Sequence, residues 1–144
     1  VNSLKNTNFK LIIACDTYQG GHENAENINV LNSCHGNDML RLMAKCHCVV
    51  VPLENLKMSS GQLVVLQAMS LGKPVICTDA DGIRDYATED TAIMVHNDVD
   101  SWREAIVSLY EEKKRYNCMS DSAMELFEKN FTDVAMFNNI AKII

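Results

Sequence analysis

Five short apolar runs rich in β-branched residues divide the chain: FKLIIAC (9–15), INVL (28–31), CVVV (48–51), PVICT (74–78) and AIMV (92–95). Their length and composition fit strands buried in a sheet. The segments between them change period. Asn37 or Asp38 can cap a helix running to Lys45, with Met39, Leu40, Leu42 and Met43 at helical spacing. Residues 63–71 are almost uniformly apolar, which predicts a helix buried on all sides and closed by Gly72. A short helix is expected over 83–87. Asp100 or Ser101 can cap another that runs to Lys114, with Trp102, Ala105, Ile106 and Leu109 facing inward, and further amphipathic stretches occupy 121–130 and 133–144. Strands that alternate with helices specify an α/β fold, a Rossmann-like parallel sheet with helices on both faces. In such sheets ligands bind beyond the carboxyl ends of the strands.

With 144 residues, 47% of them hydrophobic, the chain fits one domain with a core, residues 1–144. A net charge of −6 offers no basic footprint for nucleic acid. The six cysteines read as reduced thiols of a cytoplasmic protein, since a chain this apolar does not need a disulfide framework. Cys46 and Cys48 are one residue apart and lack a matching second pair, so they read as strand-entrance packing, and no metal is expected. No run approaches the roughly 18 apolar residues of a membrane span.

The polar corner Ser59-Ser60-Gly61-Gln62 opens the apolar helix after the third strand. The first turn of a helix presents amides without intrahelical partners, and the helix dipole favours an anion there. Gly61 would let a phosphate approach the main chain. A serine acting as a plain N-cap accounts for the same residues, and neither a P-loop nor a G-x-G-x-x-G fingerprint is present. On spacing alone the two readings stay open.

The text VVVP (49–52), SSGQLVVLQAM (59–69) and GKPVICTDADGIRDY (72–86) resembles the carboxyl-terminal, donor-binding domain of GT-B glycosyltransferases of the large retaining group, family 4. The resemblance covers nearly the whole chain. It implies a sugar transfer from a nucleoside-diphosphate sugar to a saccharide or lipid-linked acceptor, with retention. No cofactor is implied beyond the nucleotide-sugar substrate. It implies an amino-terminal domain in cis, so the chain is expected to be a fragment of a two-domain protein and inactive by itself. Polysaccharide biosynthesis is the expected setting, with peripheral attachment at the inner membrane surface left open. By position, Ser59 and Gln67 stand where the family's E-x₇-E motif carries two acids, the first for the sugar and the second for the ribose. Ser60, Gly61, Gln62 and Leu63 occupy the phosphate-facing turn, and Ser33 and Cys34 fall in the loop assigned to the nucleotide base. No catalytic residue is implied. Lys57, Arg84 and His35 are further neighbours of these loops. Two other readings share the scaffold: a non-catalytic Rossmann-like module, and a GT-B sugar epimerase.

Overall fold

Each of the five apolar runs contains one strand. The computed structural model describes residues 8–18, 26–54 and 60–142. Its strands are β1 (Leu11–Ala14), β2 (Ile28–Leu31), β3 (Val49–Val51), β4 (Val75–Thr78) and β5 (Ala92–Val95), and its helices are α1 (Gly36–Lys45), α2 (Gln62–Ser70), α3 (Asp81–Arg84), α4 (Val99–Glu111), α5 (Lys113–Asn130) and α6 (Asp133–Ala141). The chain divides into two compact units, Val1–Leu42 and Met43–Ile144, with the division falling inside α1.

In the first unit β1 and β2 pair in parallel, Leu11 against Ile28 through to Ala14 against Leu31. The Asn27 side chain donates to the Phe9 carbonyl at 3.0 Å, which ties the chain entering β1 to the chain entering β2.

In the second unit the sheet order is β3-β4-β5, all parallel. Strand β4 is central and buried at all four positions, as a parallel strand with covered faces must be. One face carries Ile76 and Val95, packed with Ala105 and Leu109 of α4 and Met119 of α5, and supported by Trp102, Ile106 and Tyr116. Met69, Val65 and Ala68 of α2 are wholly buried, and α2 packs against β3, β4 and α5.

Helix α2 ends in a motif set by its sequence. Gly72 has φ +61°, its N–H donates to the Met69 carbonyl at 2.9 Å, and the Lys73 N–H donates to the Ala68 carbonyl at 2.9 Å. This is a Schellman ending, with Leu71 as the cap and Gly72 just beyond it. Lys73 therefore belongs to the turn. A Cβ on Gly72 would lie 2.8 Å from Met124 Cε, and Ser120 Oγ donates to the Gly72 carbonyl at 2.6 Å. Helix α5 thus closes over the far end of α2.

Five expectations change. Helix α1 begins at Gly36, so Asn37 and Asp38 lie in its first turn and neither caps it. Helix α2 is not buried all round: Leu63 in its first turn is 68% exposed. The α4 cap is Asp98, whose carboxylate accepts from the Ser101 N–H at 2.9 Å, one turn earlier than Ser101 itself would cap. Helix α5 starts at Lys113 instead of 121, because only Glu112, at φ −92° and ψ 73°, separates it from α4. Helix α3 spans Asp81–Arg84 and not 83–87. Helix α6 is capped by Thr132, which accepts from the Ala135 N–H at 3.2 Å. Among the described residues no helix is long and apolar enough to cross a membrane.

Candidate functional site

Strands β3 and β4 end side by side, and three segments meet beyond their carboxyl ends: the residues after β3, the start of α2, and α3. Pro52 ends β3. The next residue, buried Leu53, turns its N–H to Thr78 Oγ1 at 2.8 Å, so a side chain of β4 takes over where the ladder stops. Thr78 is itself buried, which makes this bond the partner of an otherwise unsatisfied amide.

Gly61 is the N-cap of α2, at φ 80° and ψ −12°, with no side-chain cap. Neither serine reading as an N-cap applies to Ser60; Ser59 lies outside the described residues. Only glycine adopts this backbone conformation readily, and a Cβ here would sit 2.9 Å from Val51 Cγ1 and 3.2 Å from Leu53 Cδ2. Ile83 of α3 lies next, 3.6 Å from the same point. Gly61 therefore brings the α2 start flush against the end of β3 and against α3. The first intrahelical bond is from the Val65 N–H to the Gly61 carbonyl at 3.0 Å, so the amides of Leu63 and Val64 precede the helical ladder. The first turn carries no acid. Ser60, Gly61, Gln62 and Gln67 are half-buried and Leu63 is exposed, so the corner is reachable from solvent. The Gln67 carbonyl accepts from Ser70 Oγ at 2.8 Å.

The third wall is charged. The Asp79 N–H donates to the Val95 carbonyl at 2.8 Å, extending the β4–β5 ladder by one residue. Its carboxylate Oδ2 accepts from Arg84 Nη2 at 2.7 Å, while Oδ1 is buried and has no partner among the described residues. Arg84 thus pairs with Asp79 and not with the adjacent Asp85. That hydrogen bond, helped by the Asp79 charge, raises the guanidinium pKa above its ordinary value.

In the first unit, Ser33 follows β2 with φ +57°, a left-handed conformation uncommon for serine. Its N–H donates to Asp16 Oδ1 at 2.6 Å, and Asp16 Oδ2 lies 3.0 Å from His35 Nε2. The carboxylate after β1 therefore fixes the loop after β2. Cys34 is half-buried within that loop. Lys57 and His22 lie outside the described residues. Among the described residues no group of three or more His, Cys, Asp or Glu is placed to hold a metal ion.

What sequence reasoning missed here is the role of Thr78 and Asp79. Both sit at the carboxyl end of a buried strand, the position where polar residues are least expected for packing, and that was the available signal.

A parallel sheet with flanking helices and a glycine-opened helix beyond its carboxyl edge defines a Rossmann-like α/β domain. The model of the family "Glycosyl transferases group 1" matches residues 1–112, and the chain belongs to that family. No curated protein sequence matches it. Solved structures share the fold at low identity. The Anabaena protein HepE, in complex with UDP and glucose, matches with a TM-score of 0.68 at 19% identity over 82% of this chain and 32% of its own. A glycosyltransferase from Rickettsia africae matches with a TM-score of 0.75 at 14% identity over 98% and 40%. Sucrose-phosphate synthase from Thermosynechococcus elongatus matches with a TM-score of 0.65 at 18% identity over 81% and 29%. The chain therefore spans about a third of the length of these structures.

Proposed function

We propose that this chain is the donor-binding domain of a glycosyltransferase that takes a sugar from a nucleoside diphosphate and passes it, with retention, to a saccharide or lipid-linked acceptor. The observation that carries the reading is the α2 start, which is opened by left-handed Gly61, lacks a side-chain cap and an acidic first turn, and is reachable from solvent. The diphosphate would meet the amides of that turn, from Ser60 to Leu63, where the helix dipole favours negative charge. Gln67 would bond the ribose hydroxyls as a neutral amide, and Ser59 would face the sugar.

In the reaction the bond from the anomeric carbon to the diphosphate oxygen breaks and a bond to the acceptor oxygen forms. The acceptor hydroxyl loses its proton, and the departing nucleoside diphosphate carries the negative charge. Fixed amides aimed at that charge lower the barrier because they need not reorganise. HepE was solved with UDP and glucose, and this supports a nucleotide ligand for the fold without selecting the base. A lipid-linked acceptor would bring the enzyme to the inner membrane surface.

Calorimetric titration with UDP, GDP and ADP tests donor binding, and product analysis with the cognate sugar nucleotide tests transfer. Binding of one diphosphate in the micromolar range supports the reading. No binding of any of the three at millimolar concentration removes it. A free epimerised sugar formed without acceptor would replace transfer with epimerisation.

A further inference from the structure

We infer that Arg84 is a phosphate-positioning residue of this site, held ready by Asp79 and reading the donor diphosphate through its remaining guanidinium N–H groups. The inference rests on the donor-binding reading above. It starts from where the side chain sits. Ile83 touches the Gly61 corner, and Arg84 is the next residue on the same short helix. Cys77 pairs across the sheet with Val51, and alternation puts Asp79 on the same face as Cys77. That is the face on which Val51 meets Gly61. The Arg84–Asp79 ion pair therefore lies on the corner's side of the sheet, at its carboxyl edge.

The pair is built to hold a guanidinium still. The Asp79 backbone is fixed to Val95, and its carboxylate is partly buried, with Oδ1 enclosed. Arg84 gives one N–H to Oδ2 and remains 58% exposed, so other donors of the fork face solvent. A planar guanidinium with one edge occupied by a carboxylate can still present its other edge to a phosphate. A lysine at this position would offer a point charge and would lose that geometry.

The surroundings set the sign of a second effect. Asp81 and Glu89 also act on Arg84, so the corner has no broad positive potential. Attraction for a diphosphate must come from directed hydrogen bonds, and Asp81 opposes it. Removing the Asp81 charge should tighten binding, while removing the Arg84 charge should weaken it. A purely structural ion pair predicts neither change in ligand affinity.

The test is titration of the full-length protein and its R84Q, R84K and D81N variants with UDP, UDP-glucose and uridine, alongside thermal melting. GDP and ADP with their sugars replace the uridine series if the wild type selects another base. R84Q should lose about tenfold or more in affinity for the diphosphates, with the nucleoside unchanged. R84K should melt like the wild type and recover only part of that loss, and D81N should bind the diphosphate more tightly. If the wild type binds a diphosphate and R84Q and R84K bind it equally well, Arg84 has no such role although the donor reading stands. Should R84Q fail to fold, R84K and D81N decide. If the wild type binds no diphosphate at all, the donor reading fails and this inference falls with it.

Discussion

The backbone N–H of Leu53 donates to Thr78 Oγ1 at 2.8 Å, joining the residue after β3 to the last residue of β4 inside the protein. A threonine side chain here does what a strand carbonyl does elsewhere in the sheet. It also fixes the wall against which Gly61 packs, because Leu53 Cδ2 lies 3.2 Å from the position of a Gly61 Cβ.

Thr78→Val keeps the shape of the side chain and deletes the acceptor. The buried Leu53 amide is then left without a partner, at a cost of about 1–3 kcal/mol. Urea denaturation should show that loss, with Thr78→Ser closer to the wild type. An unchanged midpoint in Thr78→Val would mean that the amide finds another acceptor.

Gly61→Ala and Gly36→Ala separate two costs. Both glycines have positive φ, +80° and +53°, but only Gly61 faces close neighbours, whereas a Cβ on Gly36 would meet nothing within 4 Å. Gly36→Ala should cost about 1 kcal/mol, from backbone conformation alone. Gly61→Ala should cost about 2–4 kcal/mol, since Val51 must also shift. It should weaken diphosphate binding as well, measured by calorimetry, because the α2 start moves away from β3.

Gln67→Ala tests the ribose contact. The side chain is half-buried and is not among the buried core residues, so thermal stability should fall by no more than about 1 kcal/mol. Affinity for a nucleoside diphosphate should fall by about five- to tenfold. Equal affinity in the variant and the wild type would remove Gln67 from the site.

The thiols should divide by environment. Burial, followed by the neighbouring Cys46, pushes the Cys48 thiol up from 9.0 to about 11, and burial, followed by the charge of Asp79, pushes Cys77 up to about 11. Cys15 and Cys118 are exposed. A thiol reagent at neutral pH should label Cys15 and Cys118 quickly and Cys77 only on unfolding. The folded-state values of Cys48 and Cys77 are raised, so their neutral forms stabilise the native state fully below pH 9, and that contribution is lost as pH rises from about 9 through 11. A denaturation midpoint that holds steady across that window would contradict these environments.

Much of the second unit was legible because its residues carry one message each. β4 and β5 fall where their β-branched runs do, and Gly72 announces the end of α2. The failures share a cause. Helix α5 is expected only from 121 because the sequence carries α4 on to Lys114; charged residues are good helix formers, and nothing in their pattern marks the break at Glu112. The corner itself was legible in position and not in mechanism. Sequence leaves a serine cap open beside an anion site, while the turn is made by the positive φ of Gly61, a choice enforced by Val51 of β3 and by Leu53 just after it. The Asp79–Arg84 pair is not legible in the sequence, since pairing along a chain does not reveal which carboxylate a strand end presents.

Helix α2 is anchored at the end remote from Gly61. With Ser120 gripping the Gly72 carbonyl and Met124 pressed against the same turn, the helix behaves as a cantilever clamped by α5, its tip carrying exposed Leu63. Side chains at the tip can then be exchanged without loosening the mount. Substitutions at the free tip therefore act on the surface it presents and leave the packing of α2 on α5 unchanged.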